Sequence, residues 1–248
     1  MVQPKKAVDK PFIFKQFTIK QDHCAMKVGT DGVLLGAWAN TENAQNILDI
    51  GAGTGVIAVM LAQKTVNTEG VKVHAVEIDD AAFEQSKENM LKSPFAARLT
   101  VFHDSIQSFS TKAAEKYDLI ISNPPFFTGG TFSNNQEKNN VRHTVKLPHG
   151  DLLSATRSLL QKDGKFCVIL PLIEGMRFEE IARSYGFYCT KKTEVRTLAH
   201  KGIERLLLQF EMTNKPTEKD ELIIQNSDVR NDYTEGYKNL TKDFYTIF

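Results

Sequence analysis

Hydrophobic and polar positions change period along this chain from segment to segment. Residues Phe12-Ile13-Phe14-Lys15-Gln16-Phe17-Thr18-Ile19-Lys20 partly alternate, as a strand does, and mark an N-terminal hairpin or small cap. Gly29-Thr30-Asp31-Gly32 punctuates that pattern, and residues 33–39 predict a short helix. Strand and helix periods then take turns: strand Asn46–Ile50, helix 54–64, strand 71–77, helix Asp80–Lys92, then strands Leu99–His103 and Tyr117–Ser122. A helix at 151–161, a strand at 165–170 and a helix at 174–185 follow. Short apolar runs separated by helices predict an α/β fold, with a mostly parallel sheet covered on both faces. Residues 187–197 and 204–212 read as two further strands, an antiparallel pair at the sheet edge. Residues 1–40 read as an extension on a larger domain spanning 41–248, and 127–150, rich in Gly and Asn, as a long functional loop.

The strand Tyr117–Ser122 stops at Asn123-Pro124-Pro125-Phe126. Consecutive prolines cannot donate to a ladder, and Pro124 keeps Asn123 out of helical geometry, so the backbone there is extended and stiff. The motif offers an amide that both donates and accepts, two carbonyls with no competing proline N–H and an adjacent ring. That set can grip a planar group carrying an NH2. On these residues alone, a proline-rich turn with Asn as a cap and Phe in the core explains the motif equally well.

Upstream, Asp49-Ile50-Gly51-Ala52-Gly53-Thr54-Gly55 joins a strand to a helix start. Alternate glycines let a backbone approach a ligand, and the free N–H groups of a helix start favour polar or anionic groups. The dinucleotide fingerprint needs glycine at position 56, where Val56 stands, so a pyrophosphate cradle is disfavoured. Glu77 and Asp104 end the next two strands. An acid at the first place can accept from ribose hydroxyls, and one at the second can reach an exocyclic amine. Either could instead be a helix cap, but together they match a nucleoside-shaped ligand at the carboxyl rim of an open sheet.

Bulk properties narrow the class. The 248 residues are 41% hydrophobic and 25% charged, as in an ordinary globular chain. No apolar run suits a membrane span or a signal peptide, which reads as cytoplasmic. Cys24, Cys167 and Cys189 lie too far apart in sequence to support a disulfide framework or a metal site. The net charge of +1 argues against nucleic-acid binding by global charge, although residues 1–30 and 138–165 are locally basic.

Asp49, Gly51, Gly53, Gly55, Glu77, Asp104 and Asn123-Pro124-Pro125-Phe126, in that order, resemble the class I S-adenosylmethionine-dependent methyltransferases. The resemblance implies a Rossmann-like sheet and S-adenosyl-L-methionine as cofactor. It places the glycine turn under the methionine end, Glu77 on the ribose, Asp104 on the adenine and Asn123 facing the sulfonium methyl. In such enzymes Asn-Pro-Pro-aromatic marks methylation of base amines in DNA or RNA, or of a protein glutamine amide. The segments Phe14-Lys15-Gln16-Phe17, 22–38, 119–127 and 233–248 closely resemble the bacterial tRNA1(Val) adenine-37 N6-methyltransferases. This implies a tRNA anticodon stem-loop as partner, with a monomer favoured, and sets Thr30, with Lys27 and Asp31, at the methionine end. Phe126 stands where tyrosine is common in adenine N6 enzymes, so the motif alone leaves guanine N2 open; the N-terminal segment tips the choice to adenine. Arg142, His143, Lys146, His149, Lys191, Lys192, Lys201 and Arg205 are candidate phosphate contacts. An RNA-binding protein on an inactive scaffold is the non-enzyme alternative, and the intact glycines and acids speak against it.

Overall fold

The computed structural model describes residues 10–125 and 147–248. A two-residue hairpin, β1 (Phe12–Ile13) with β2 (Thr18–Ile19), precedes α1 (Thr30–Trp38). Then come β3 (Asn46–Ile50), α2 (Val56–Lys64), β4 (Lys72–Glu77), α3 (Asp80–Lys92), β5 (Leu99–His103), α4 (Ile106–Lys112) and β6 (Tyr117–Ser122). After the undescribed stretch follow α5 (His149–Leu159), β7 (Leu160–Pro171), α6 (Leu172–Ser184), β8 (Tyr188–Leu198), β9 (Arg205–Glu211), β10 (Glu218–Gln225) and α7 (Glu235–Thr241).

The main sheet has eight strands in the order β10-β8-β9-β7-β6-β3-β4-β5. Every neighbouring pair is parallel except those made by β9, which runs against both β7 and β8. The mostly parallel α/β sheet expected from the pattern is therefore present, and so is the antiparallel pair. The reversed strand does not lie at the edge, because β8 separates it from β10, a strand the sequence pattern did not reveal. Residues Glu218-Lys219-Asp220-Glu221 of β10 are exposed and charged, a composition that protects an edge strand against pairing with another chain and hides it from a search for apolar alternation.

Side-chain alternation along each strand feeds two cores. Ile47, Leu119, Ile121, Cys167 and Ile169 face α1, α2 and α7, whereas Leu48, Ile120, Phe166, Val168 and Leu170 face α4, α5 and α6. Helix α2 is buried from Val56 to Gln63 because the sheet covers one side and α1 the other. Lys64, at its end, donates from Nζ to the carbonyls of Ala37 (2.6 Å) and Ala39 (2.5 Å), supplying the cation that the end of α1 lacks in its own last turn. The N-terminal segment docks on the last residues of the chain: Phe14 bridges to Tyr245, and the Lys15 N–H donates to the Phe244 carbonyl at 2.8 Å. Phe12, Phe14, Phe17, Tyr237 and Tyr245 form an aromatic cluster around this junction.

Candidate active site

Strands β6, β3, β4 and β5 end at one rim of the sheet, with Ser122 opposite Ile50, Ile50 opposite Val76 and Glu77 opposite His103. The chain leaving them therefore presents Asn123 and Gly51 level with Glu77, and Asp104 one step further out beside Ile78. Neighbouring strands lie about 4.8 Å apart, so the row spans about 14 to 15 Å, the length of a nucleoside carrying a short tail.

At Gly51, Gly53 and Gly55 the backbone adopts φ of 79°, 54° and 79°, in the left-handed region that favours glycine. The three differ in what surrounds them. A Cβ built at Gly51 or Gly53 meets nothing within 4 Å, whereas at Gly55 it comes within 3.3 Å of Ser86 Cβ. The first two glycines thus border open space that a ligand can enter, and the third lets α3 pack against the turn. Left-handed Gly55 also explains why α2 begins at Val56, two residues later than its apolar pattern.

Glu77 is buried, and its carboxylate holds the turn: Oε2 accepts the Gly53 N–H at 2.8 Å, and Oε1 accepts those of Ile78 and Asp79 at 2.8 and 2.9 Å. A carboxylate accepts about four hydrogen bonds, so Glu77 retains capacity on Oε2. Asp49 lies fully buried beneath the turn, and neither of its oxygens has a hydrogen-bond partner among the described residues. Burial pushes its carboxyl up to about 7, the Glu77 charge adds to the rise, and the Ala58 backbone N–H pulls the other way without reaching bonding geometry. An orphaned buried carboxylate below an open glycine turn suits a ligand that brings positive charge or several donors.

Asp104 is tied to β4 through its own N–H, which donates to the Glu77 carbonyl at 3.1 Å. Its Oδ2 accepts from Lys112 at 2.9 Å; this bond, with those from Ser108 and Ser105, holds the carboxyl below the usual range against partial desolvation. Lys112 is mostly exposed, so a ligand can compete for Asp104 at little cost. Asn123 is half-buried, Pro124 buried and Pro125 exposed; Phe126 lies outside the described residues. Thr30 opens α1, and a Cβ at Gly32 two positions on would lie 3.7 Å from Val56, so the start of α1 meets the start of α2 beside the glycine turn. Asp31 is paired with Arg205 at 2.9 Å, and Lys27 donates to the Gln21 carbonyl at 2.6 Å.

Comparisons with known proteins show the family and the fold. A family model described as the methyltransferase small domain matches residues 24–177. A tRNA1(Val) (adenine(37)-N6)-methyltransferase from Histophilus somni strain 2336 is 41% identical over 242 residues, covering 98% of this chain and 100% of the relative. One from Cronobacter sakazakii is 42% identical over 246 residues, 99% of each chain. This chain belongs to the tRNA1(Val) (adenine(37)-N6)-methyltransferase family. Among solved structures, a crystal structure titled as a predicted O-methyltransferase from Agrobacterium tumefaciens superposes with a TM-score of 0.67 at 16% identity, over 86% of this chain and 96% of that one, which speaks to the fold alone.

In this member of the tRNA1(Val) (adenine(37)-N6)-methyltransferase family, the described basic candidates for phosphate contact are mostly engaged within the protein. His149 packs edge-on against Phe178 with ring centroids 4.9 Å apart, and burial lowers its pKa. Lys191 sits over the Trp38 ring, Lys192 pairs with Glu179, and Lys201 lies 3.9 Å from Asp228. Arg142, His143 and Lys146 lie outside the described residues. Among the described residues no helix is long and apolar enough to cross a membrane, and no cluster of His, Cys, Asp or Glu suits a metal ion. Sequence reading missed Ser122, Gln85 and Asn89. For the last two a signal was available: Ala82, Gln85, Ser86, Asn89 and Met90 have the spacing of an inward helical face, and all are buried, so two of its positions carry amides.

Proposed function

We propose that this chain transfers a methyl group from S-adenosyl-L-methionine to N6 of adenine 37 in the anticodon loop of a tRNA of the tRNA1(Val) type, in the cytoplasm, with residues 41–248 as the catalytic domain and 1–40 as its extension. The observation that carries the reading is the order of groups along the rim: Asn123, the glycine turn, Glu77 and Asp104 at the ends of four neighbouring strands. The choice of adenine in a tRNA follows from the family to which the chain belongs.

Gly51, Gly53 and Gly55, with Asp49 below and Thr30 beside them, would hold the amino-acid end of the cofactor. Glu77 would accept from the ribose hydroxyls and Asp104 from the adenine amine. The orphaned Asp49 carboxylate and the open space over Gly51 and Gly53 fit such a ligand. When bound, S-adenosyl-L-methionine supplies an electrophilic methyl group and a neutral thioether as leaving group.

The chain's own residues supply orientation. An aryl amine is a weak nucleophile because its lone pair is delocalised into the ring. Hydrogen bonds from the substrate NH2 to the Asn123 side-chain oxygen and the Pro124 carbonyl favour a pyramidal nitrogen with its lone pair directed at the methyl. Pro124 and Pro125 keep that clamp stiff; a ring at position 126, outside the described residues, would stack on the base and contribute about 1 to 3 kcal/mol. Asn123 and the Pro124 carbonyl would hold N6 in line with that methyl group, and the N6 proton displaced by the transfer would leave to solvent. A loop adenine must be splayed out of its stack to reach the clamp. Nucleoside mass spectrometry of unmodified tRNA treated with enzyme and cofactor tests the reading. N6-methyladenosine at position 37 is the expected product, and N2-methylguanosine alone would overturn it.

A further inference from the structure

We propose that Asn89 is a positioning residue for cofactor binding: it fastens residues 20–28 to the glycine turn, so that this segment forms a fixed wall of the cofactor pocket. The inference rests on the functional reading above.

Asn89 projects from α3 and is 2% exposed. Its Oδ1 accepts the Lys20 N–H at 2.9 Å, and its Nδ2 donates to two carbonyls, those of Lys20 and Thr54, each at 2.8 Å. One amide thus joins both backbone groups of a residue in the N-terminal segment to a carbonyl within the glycine turn. One helical turn earlier, fully buried Gln85 accepts the His23 N–H on Oε1 at 3.1 Å. The segment is also closed on itself, since Gln21 Oε1 accepts the Val28 N–H at 2.9 Å. Cys24, buried in its middle, lies within the field of the Glu77 carboxylate. Two residues beyond the segment, Thr30 begins α1 against the start of α2.

A leucine or methionine could fill this inward position of α3, but it would remove all three bonds, among them the one that satisfies the buried Thr54 carbonyl. The amide adds register. Sliding the segment relative to the turn breaks all three bonds together, so Thr30 and the turn keep a fixed spacing. The same face of α3 presents Ser86 to Gly55, so segment, turn and helix form one rigid unit.

The test is calorimetric titration of S-adenosyl-L-methionine into wild type, Asn89→Ala and Gln85→Ala, with steady-state kinetics on tRNA. In Asn89→Ala the Kd and the KM for the cofactor are expected to rise about tenfold, while the KM for tRNA stays within about twofold; Gln85→Ala, which touches the segment but not the turn, gives a smaller rise. A purely structural role would reduce the folded fraction, and so kcat, with both KM values unchanged, and that outcome would overturn the proposal. Hydrogen exchange on the wild type needs no variant to fold. On adding S-adenosylhomocysteine, the Lys20 and His23 amides should slow more than that of Ile223 in the far edge strand, and a uniform change refutes the coupling. If the wild type fails to bind cofactor, the functional reading falls as well; if wild type and Asn89→Ala bind equally, only this inference falls.

Discussion

Ser122 Oγ donates to the Ile50 carbonyl at 2.9 Å, and both residues are buried. This bond joins the end of β6 to the end of β3 one residue before each chain turns into the rim, and so sets Asn123 beside Gly51. Ser122→Ala would leave a buried carbonyl short of a partner at the point where spacing matters. Its unfolding free energy in urea should fall by about 1 to 2 kcal/mol, and methyl transfer should slow more than the small loss of folded protein explains.

Asn123→Ala removes the side-chain acceptor while leaving the glycine turn, Glu77 and Asp104 intact. Turnover should drop at least about a hundredfold, with the calorimetric Kd for S-adenosyl-L-methionine within about threefold of wild type. Wild-type rates would refute the role assigned to Asn123.

The pH dependence of Asp49 has a definite sign. Its folded pKa, about 7, lies above the ordinary carboxylate value of 3.8, so between those limits the folded chain holds a proton that the unfolded chain has released. Its contribution to stability is therefore fully present at acid pH and declines as pH rises toward 7. Asp49→Asn removes the decline. In urea unfolding the variant should gain on wild type by an amount, on the order of a few kcal/mol, that is larger at pH 8 than at pH 5. An equal difference at both pH values would contradict the assignment.

Gly53→Ala and Gly55→Ala separate the two jobs of the glycine turn. Both strain a left-handed backbone, at a cost of about 1 to 2 kcal/mol. Only at Gly55 does the added methyl press on α3, so Gly55→Ala should have the lower Tm. At Gly53 the methyl enters the open space above the turn, and the larger effect should be on cofactor affinity in calorimetry.

Lys64→Met keeps the buried stem and removes the cation that caps α1. The carbonyls of Ala37 and Ala39 lose their donor, and unfolding free energy should fall by about 2 to 3 kcal/mol in denaturant titration.

Much of the parallel core was legible because each element carries its own punctuation. Asp79 accepts the Ala82 N–H at 2.9 Å and starts α3 where the pattern placed it, and β5 ends where the apolar run ends. Elements without a strong apolar signal were missed. Helix α4 is short and mostly polar, with Ser105 as its cap, and β10 is charged because an edge strand has to be. Strand β7 begins five residues before the apolar run read as its start, since Leu160 pairs with Tyr117 ahead of a register shift. Of the rim, the glycines and strand-end acids could be read locally. The Ser122, Asn89 and Lys64 bonds could not, because each joins residues distant in sequence.

The junction of Phe14 with Tyr245, and of Lys15 with Phe244, also has a consequence for synthesis. On the ribosome the hairpin at residues 12–19 emerges before the parallel strands, yet its docking surface includes Phe244 and Tyr245, made after all of them. Until Phe244 and Tyr245 leave the exit tunnel, the aromatic side chains of residues 12–17 lack part of their cover, although the glycine turn, Glu77 and Asp104 are already translated. A nascent chain would thus be able to pair its parallel strands before residues 12–17, which lead toward the segment beside the glycine turn, gain their full cover.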